Sequence, residues 1–463
     1  MRAFVVSIML GTSFFSSVDA SAYQVKSGGD TTVAQTGGNA FSLPANNLPM
    51  MKQLDFSVGN SFFRNPWVKA PSTTDARDGL GPLFNTNGCQ NCHIKDGRGH
   101  PPETSDNNAV SMLVRLSVPA MSAQQQRDLI RYGVIPEPTY GDQLQDFALA
   151  DRKPEGQIAI TYQYEHRRFA DGSVIELRKP EVSIKALGYG PMADNVQLSA
   201  RIAPPMIGLG LLESIPNQTL LKWQDPDDID GDGISGRVNR VWDIEKQATV
   251  IGRFGWKAGQ PSLMQQNAAA FNGDIGLTSR LFPSENCMPV QTVCQQMPNG
   301  GVPEVSDKIL KFVEFYSQHL GVPARRNSNQ PLVQQGQKLF STAGCDGCHK
   351  PSVQTGIRDD LPSLSQQTIS PYSDLLLHDM GDGLADHRSE FLASGREWRT
   401  PPLWGLGYTN EVNGHSYFLH DGRARNLMEA IVWHGGEARE AQQAVLHFNA
   451  QQREALIAFL NSL

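Results

Sequence analysis

Six cysteines in 463 residues is a small number, too few for a scaffold held together by disulfides. Basic residues are not in excess either: 40 Lys and Arg stand against 47 Asp and Glu, a net charge of -7 with the two signs interspersed. Nucleic acid is thereby excluded as a partner, because binding to a phosphate backbone needs a concentrated basic face. Beyond the first 22 residues the chain lacks any apolar run long enough to cross a bilayer. No stable membrane insertion is expected of the mature protein, and no cysteine follows the N-terminus closely enough to carry a lipid.

What the N-terminus does have is "MRAFVVSIMLGTSFFSSVDASA": one Arg, an apolar stretch interrupted by Ser and Gly, and a small-x-small ending at Ala20-Ser21-Ala22. This is the pattern of a signal peptide, residues 1–22, removed before Tyr23. The stretch is too short and too broken to serve instead as a membrane anchor. Export to the periplasm follows. About 440 residues remain, enough for two domains, one of them with an insertion.

An oxidising compartment would ordinarily turn six cysteines into three disulfides, but this sequence spends four of them differently. "GCQNCH" at 88–93 returns as "GCDGCH" at 344–349. C-x-x-C-H is the attachment pattern for c-type haem: each thiol adds to a vinyl group as a thioether, and the adjacent His lies beneath the iron as axial ligand. A thioredoxin-type dithiol is the competing reading. It needs a strand before the cysteines and a helix after them, and has no use for a His, still less for two copies. Cys89, Cys92, Cys345 and Cys348 are therefore read as haem-attaching residues, His93 and His349 as iron ligands, and two covalently bound haem c as the cofactors. Cys287 and Cys294, in the loop-like "SENCMPVQTVCQQMP", are read as a local disulfide.

The repeat extends past the motif, since "LFNTNGCQNCH" and "LFSTAGCDGCH" match in the apolar pair, the Gly and the spacing. Each copy also has an amphipathic closing helix. Ile309, Phe312, Val313 and Tyr316 share a face of "VSDKILKFVEFYSQHL", and Leu456, Phe459 and Leu460 share one of "QQREALIAFLNSL". Duplicated helices around duplicated motifs predict a mainly α fold of two cytochrome c-like haem domains, 23–320 and 332–463. The aperiodic segment 321–331, with Pro, Asn and paired Arg, is the boundary. About 215 residues separate the first motif from its closing helix, against fewer than 110 for the second, so the first domain carries a large insertion. "DGSVIELRKPEVSI", an Asp-Gly turn followed by β-branched alternation, makes that insertion partly β.

In "DPDDIDGDGISGRVN", Asp228, Asp230 and Asp232 alternate ahead of Gly233 as at the opening of a calcium loop. The twelfth position from Asp228 is Asn239 where such a loop has Glu, so a solvated acidic turn is the alternative to bound calcium.

The C-terminal half holds "WRTPPLWGLG" at 398–407 and "YFLHDGRARNLMEAIVWHGGEA" at 417–438. Here the chain resembles the bacterial diheme cytochrome c peroxidases and their relatives, including the diheme enzyme that oxidises a tryptophan-bearing partner in quinone-cofactor maturation. With "GLGLLES", "DGDGISGR", "GRFGWKA" and "LLLHDMGDGLAD" added, most of the mature chain resembles the diheme c-type cytochrome oxidoreductase family called thiol-oxidoreductase-like. In the resembled peroxidases the residue fourteen after the His of Y-x-H-D-G supplies the second axial ligand of the C-terminal haem. Counted from His420, that residue is His434. The peroxidases usually have Met there and the maturation enzyme Tyr, so His is a departure. Independently, the spacing of Leu427, Ala430 and Ile431 turns His434 toward the apolar face of a helix starting near Asn426. A haem ligated by two His is low-spin and passes electrons. Met428, Met380 and His378 are next in line, and His378 and His420 are candidates for bonding haem propionates or standing between the domains.

For the first haem, His100, His166, Met112 and Met206 are candidate sixth ligands. Met206 stands on the stiff "RIAPPMIG" loop beside Pro204 and Pro205. Alternatively the site is open and takes peroxide, with Glu213 as acid/base, although a helix-surface Glu is the plainer identity. Two functions survive. One is a peroxidase-like enzyme: a small periplasmic redox protein gives electrons to the C-terminal haem, they pass to the N-terminal haem, and a small oxidant such as peroxide is reduced there. The other is a non-catalytic diheme electron-transfer protein with both irons six-coordinate. Thiol oxidation is disfavoured, because four cysteines are taken by haem and two are paired.

Overall fold

Two helix pairs hold the two motifs in the same way. The computed structural model describes residues 25–102, 110–150, 152–292 and 294–463; the expected signal peptide lies outside the described residues. The helices that matter here are α1 (Met50–Arg64), α2 (Leu263–Ile275), α3 (Asp307–His319), α4 (Pro331–Thr342), α5 (Leu427–Trp433) and α6 (Ala450–Leu460). Helix α1 buries Phe56, Gly59 and Phe63, and α4 buries Val333, Gly336 and Phe340, each set at helical spacing along one face. Their partners start on side-chain caps. Ser306 accepts from the Ile309 N–H ahead of α3, and Asn449 forms a capping box with Gln452 ahead of α6.

Helix α1 packs on α3 and α4 on α6, each through a glycine. A Cβ at Gly59 would land on the carbonyl oxygen of Phe312, and one at Gly336 on the carbonyl of Ala455. Four residues after each glycine comes a phenylalanine that reaches the motif histidine. Phe63 lies 6.1 Å from the His93 ring and 5.2 Å from Tyr316, and Phe340 lies 6.1 Å from the His349 ring and 5.2 Å from Phe459. The helix pairs are thus duplicated, but the textual match before the motifs is not: Leu83 and Phe84 pair in a strand with Ala148 and Phe147, whereas Leu339 and Phe340 lie in α4, and the counterpart of Phe340 is Phe63.

The fold class differs from the expectation. Helix accounts for 31% of the chain and strand for 18%, with six two-stranded sheets among the described residues, so the chain is mixed and not mainly α. Strand β1 (Met112–Ser117) pairs antiparallel with β4 (Gln197–Ile202), and β2 (Gln157–Arg168) with β3 (Val174–Lys185). A shorter pair joins β5 (Leu377–Asp379) to β6 (Glu397–Arg399). The insertion is the reason: the alternation read as a short sheet runs for twelve residues in each strand of the β2–β3 hairpin.

That hairpin docks on the C-terminal part of the chain, where Arg178 donates to the carbonyls of Arg423 (2.9 Å) and Gly422 (3.0 Å) and stacks over Tyr162 and Tyr417. Two of the three large apolar clusters draw on residues from both sides of 321–331. Separate haem-domain cores are therefore not visible. The 321–331 segment itself is tied down: Val33 donates to Val322 O, Ala324 to Val33 O, and Arg326 to Ser462 O.

Candidate functional site

Each motif opens onto a cavity. The first, of about 980 Å³, is walled by Cys89, Cys92, His93, β1, the end of β4 and α2. The second, of about 430 Å³, is walled by Cys345, Cys348, His349, α5 and the segment 398–403. Cys287 and Cys294 are joined by a disulfide, with Cα atoms 5.9 Å apart, while the four motif cysteines are free. Burial pushes the Cys89 and Cys345 thiols up to about 12 and Cys92 well above its ordinary range; Asp274 adds to the effect at Cys89 and Cys92. A redox dithiol needs the opposite, a thiol lowered toward the thiolate.

Three cavity histidines share one hydrogen-bonding pattern. His93 Nδ1 lies 2.8 Å from Pro204 O, His349 Nδ1 2.8 Å from Tyr372 O, and His434 Nδ1 2.7 Å from Ala430 O. A carbonyl only accepts, so in each ring Nδ1 carries the hydrogen and Nε2 keeps its lone pair. Burial holds His93 and His349 down to about 4 and lowers His434 as well, so all three are neutral imidazoles near neutral pH. His434 is not inside its helix as expected: α5 stops at Trp433, and His434 is the C-cap, with Gly435 and Gly436 following. It lines the same cavity as His349.

Two further histidines share that second cavity and do other things. His378 is clamped between Asp374 Oδ2 (3.0 Å) and Glu437 Oε2 (2.7 Å), with Cys348 Sγ at 3.6 Å. Burial pulls its pKa down, but these partners outweigh it and hold the ring well above its ordinary range. With both nitrogens taken, His378 has no lone pair for a metal. His420 stacks on Trp398 at 3.7 Å with its Nε2 3.5 Å from Asp421, and burial holds it down to about 4. Met380 also lines this cavity.

On the first cavity's wall, His93 is the only histidine among the described residues. Met112 and Met206 line it, each also part of an apolar cluster. His100 bonds Pro101 O at 2.8 Å, and His166 stands on the exposed stretch of β2 beside Glu176. Glu213 is outside both walls. Its carboxylate accepts from the Leu263 N–H (2.8 Å) at the start of α2 and from Gln318 Nε2 (2.9 Å), with Arg358 at 3.8 Å, a structural tie away from either cavity for the residue named as a candidate acid/base.

The acidic loop is regrouped. Asp225, Asp228 and Asp230 bring carboxylate oxygens within 4.8 Å of one another, while Asp232 turns to the rim of the second cavity. Their oxygens accept backbone N–H groups: Asp225 from Ile229 (2.8 Å), Asp228 from Gly233 (3.1 Å), Asp230 from Asp232 (3.2 Å). Asn239 is buried and donates to Lys257 O and Glu390 O instead.

Sequence reasoning missed what joins the cavities. Arg98, Trp256, Arg399, Pro401 and Pro402 line both. Trp256 Nε1 donates to Ile202 O at 2.9 Å, which fixes its ring. Trp256 and Arg399 fall within the quoted phrases "GRFGWKA" and "WRTPPLWGLG", but Arg98 has no local signal.

Paired thiols beside neutral imidazoles whose Nδ1–H is taken by a carbonyl, opening onto largely apolar cavities, are a donor set that suits haem. Among the described residues no helix is long and apolar enough to cross a membrane. A family model described as "Di-haem oxidoreductase, putative peroxidase" matches residues 22–463. No protein of curated function and no solved structure matches the chain. The chain belongs to the di-haem oxidoreductase family, and its cofactors are haems.

Proposed function

We propose that this is a periplasmic diheme c-type oxidoreductase of the peroxidase type, with electrons entering at the second cavity and peroxide reduced at the first. Haem iron supplies the one-electron redox couple that amino acids lack. Cys89 and Cys92, and Cys345 and Cys348, would hold the two groups as thioethers, and His93 and His349 would supply nitrogen ligands to the irons.

The observation that carries the reading is the asymmetry of the histidines. The second cavity offers two neutral imidazoles whose Nδ1 is held by a backbone carbonyl, His349 and His434, besides His420, which is stacked on Trp398. The first offers His93 alone among the described residues. A site saturated by two imidazoles passes electrons, whereas a site with one imidazole leaves room for a small oxidant. Trp256, on both walls, is the aromatic group placed to carry electrons between them. The overall reaction consumes hydrogen peroxide, two electrons from a small redox protein and two protons, breaks the O–O bond and releases two waters.

Met112 and Met206 on the first wall favour the second reading, a diheme electron-transfer protein in which one of them fills the open position. Peroxide turnover with a reduced small cytochrome as donor separates the two. Consumption of peroxide tied to donor oxidation in a two-to-one ratio of donor to peroxide supports the enzyme. Donor oxidation that peroxide does not accelerate leaves only electron transfer.

A further inference from the structure

Arg98 and Arg399 are 6% and 7% exposed and each lines both cavities. Arg98 Nε and Nη1, and Arg399 Nη1, have no hydrogen-bond partner among the described residues. The Arg98 guanidinium lies 5.8 Å from the Trp256 ring centroid and 5.7 Å from that of Phe418. Burial pulls its pKa down to about 10, and no carboxylate raises it. Arg399 donates through Nε to Gly255 O (2.9 Å). Burial likewise pulls it to about 10, and the one opposing charge, Asp374, has its oxygens engaged by Leu376 N–H and His378. The next residue, Thr400, has an unpartnered buried Oγ1 on the second cavity.

A buried guanidinium without a counter-ion is strongly destabilising, so its persistence implies an anion that completes it. The haem periphery carries two carboxylates, and a guanidinium fork matches a carboxylate better than any other side chain does. We propose that Arg98 and Arg399 form one cationic latch that binds haem carboxylates from both cavities and so couples the two redox sites. The inference rests on haem occupying both cavities and does not depend on peroxide being the substrate. Because the latch charge lies in the field of both irons at low dielectric, removing it disfavours the added electron at both.

The test is a potentiometric titration of the holoprotein, following each haem optically, with haem content read from the intact mass. Arg98→Met keeps apolar packing against Trp256 and Phe418 and removes the charge; Arg98→Lys keeps the charge and removes the fork. With two haems bound, Arg98→Met is expected to lower the reduced-to-oxidised ratio of both haems about tenfold at fixed ambient potential, about 59 mV for a one-electron couple. Arg98→Lys restores most of it. Two bound haems with only one ratio moved, or neither, overturn the latch. Failure of Arg98→Met to take up haem while Arg98→Lys takes up two is the same charge requirement seen at loading. Should neither load, Arg399→Met and Arg399→Lys are judged by the same criteria. A wild-type mass without haem would sink the cofactor assignment and the latch together, whereas two haems with unmoved potentials sinks the latch alone.

Discussion

Replacing glycine by alanine should move stability in opposite directions at two helical positions. At Gly336 in α4, the added methyl would fall on the carbonyl of Ala455 and 2.7 Å from Phe459 Cβ. The nearest obstacle is the backbone of α6, which has no rotamer to change, so the helices must part. Overpacking of this kind costs about 1–3 kcal/mol, with the upper end expected against backbone. Alanine returns about 1 kcal/mol of helix propensity, for a net loss of about 2 kcal/mol. At Gly273 in α2, the nearest protein atom is Gln143 Oε1 at 3.7 Å, an ordinary contact, and no protein atom opposes the propensity gain of roughly 0.5–1 kcal/mol. Urea unfolding of the holoproteins, followed by far-ultraviolet circular dichroism, should place the Gly336→Ala midpoint below wild type and the Gly273→Ala midpoint above it. Since Phe340 lies one turn beyond Gly336 and against His349, Gly336→Ala should also perturb the second haem's absorption and leave the first's alone. Gly59→Ala should do the reverse. A Gly336→Ala midpoint at or above wild type would refute the close approach of α4 and α6.

His434→Gly should convert the second haem from low-spin to high-spin or water-ligated and slow turnover, with the first haem's spectrum nearly unchanged; two unaltered low-spin signals would show that His434 is not a ligand. Replacing Cys345 and Cys348 together by Ala should lower the mass by one covalently held haem, and any retained two-haem mass would contradict thioether attachment at 344–349. Burial holds the Asp146 carboxyl up to about 7 from an ordinary 3.8. The folded chain thus keeps a proton that the unfolded chain has released, and that contribution is present below 3.8 and lost as pH rises to about 7. Asp146→Asn has no such loss, so its stability relative to wild type should climb with pH across that window, with a slope approaching about 1.4 kcal/mol per unit. A flat difference between pH 4 and 7 would place Asp146 outside this account.

What the sequence made legible was short-range. The two C-x-x-C-H phrases, the Cys287–Cys294 pair and the closing helices each sit within a few turns of chain, where spacing alone carries the geometry. The leading helices carry a local mark as well: "GNSFF" and "GQKLF" share the Gly-x-x-x-Phe spacing that sets helix approach and histidine contact. His434 is the C-cap of α5, and periodicity does not show that the helix ends one residue sooner. Glu213 looked catalytic because of its phrase, while its partners Leu263 and Gln318 lie 50 and 105 residues away. Arg98 and Trp256 meet only through the fold, so no local pattern marks them. The strand content was underestimated because β1 finds its partner β4 about 80 residues away, a pairing that no local pattern marks.

Electron paramagnetic resonance of the fully oxidised wild-type protein tests the central claim, a saturated second site and an open first one, most directly. The account predicts two haem signals of equal weight, one low-spin and one high-spin, with only the high-spin signal changed by peroxide. Two low-spin signals that peroxide leaves untouched would contradict it.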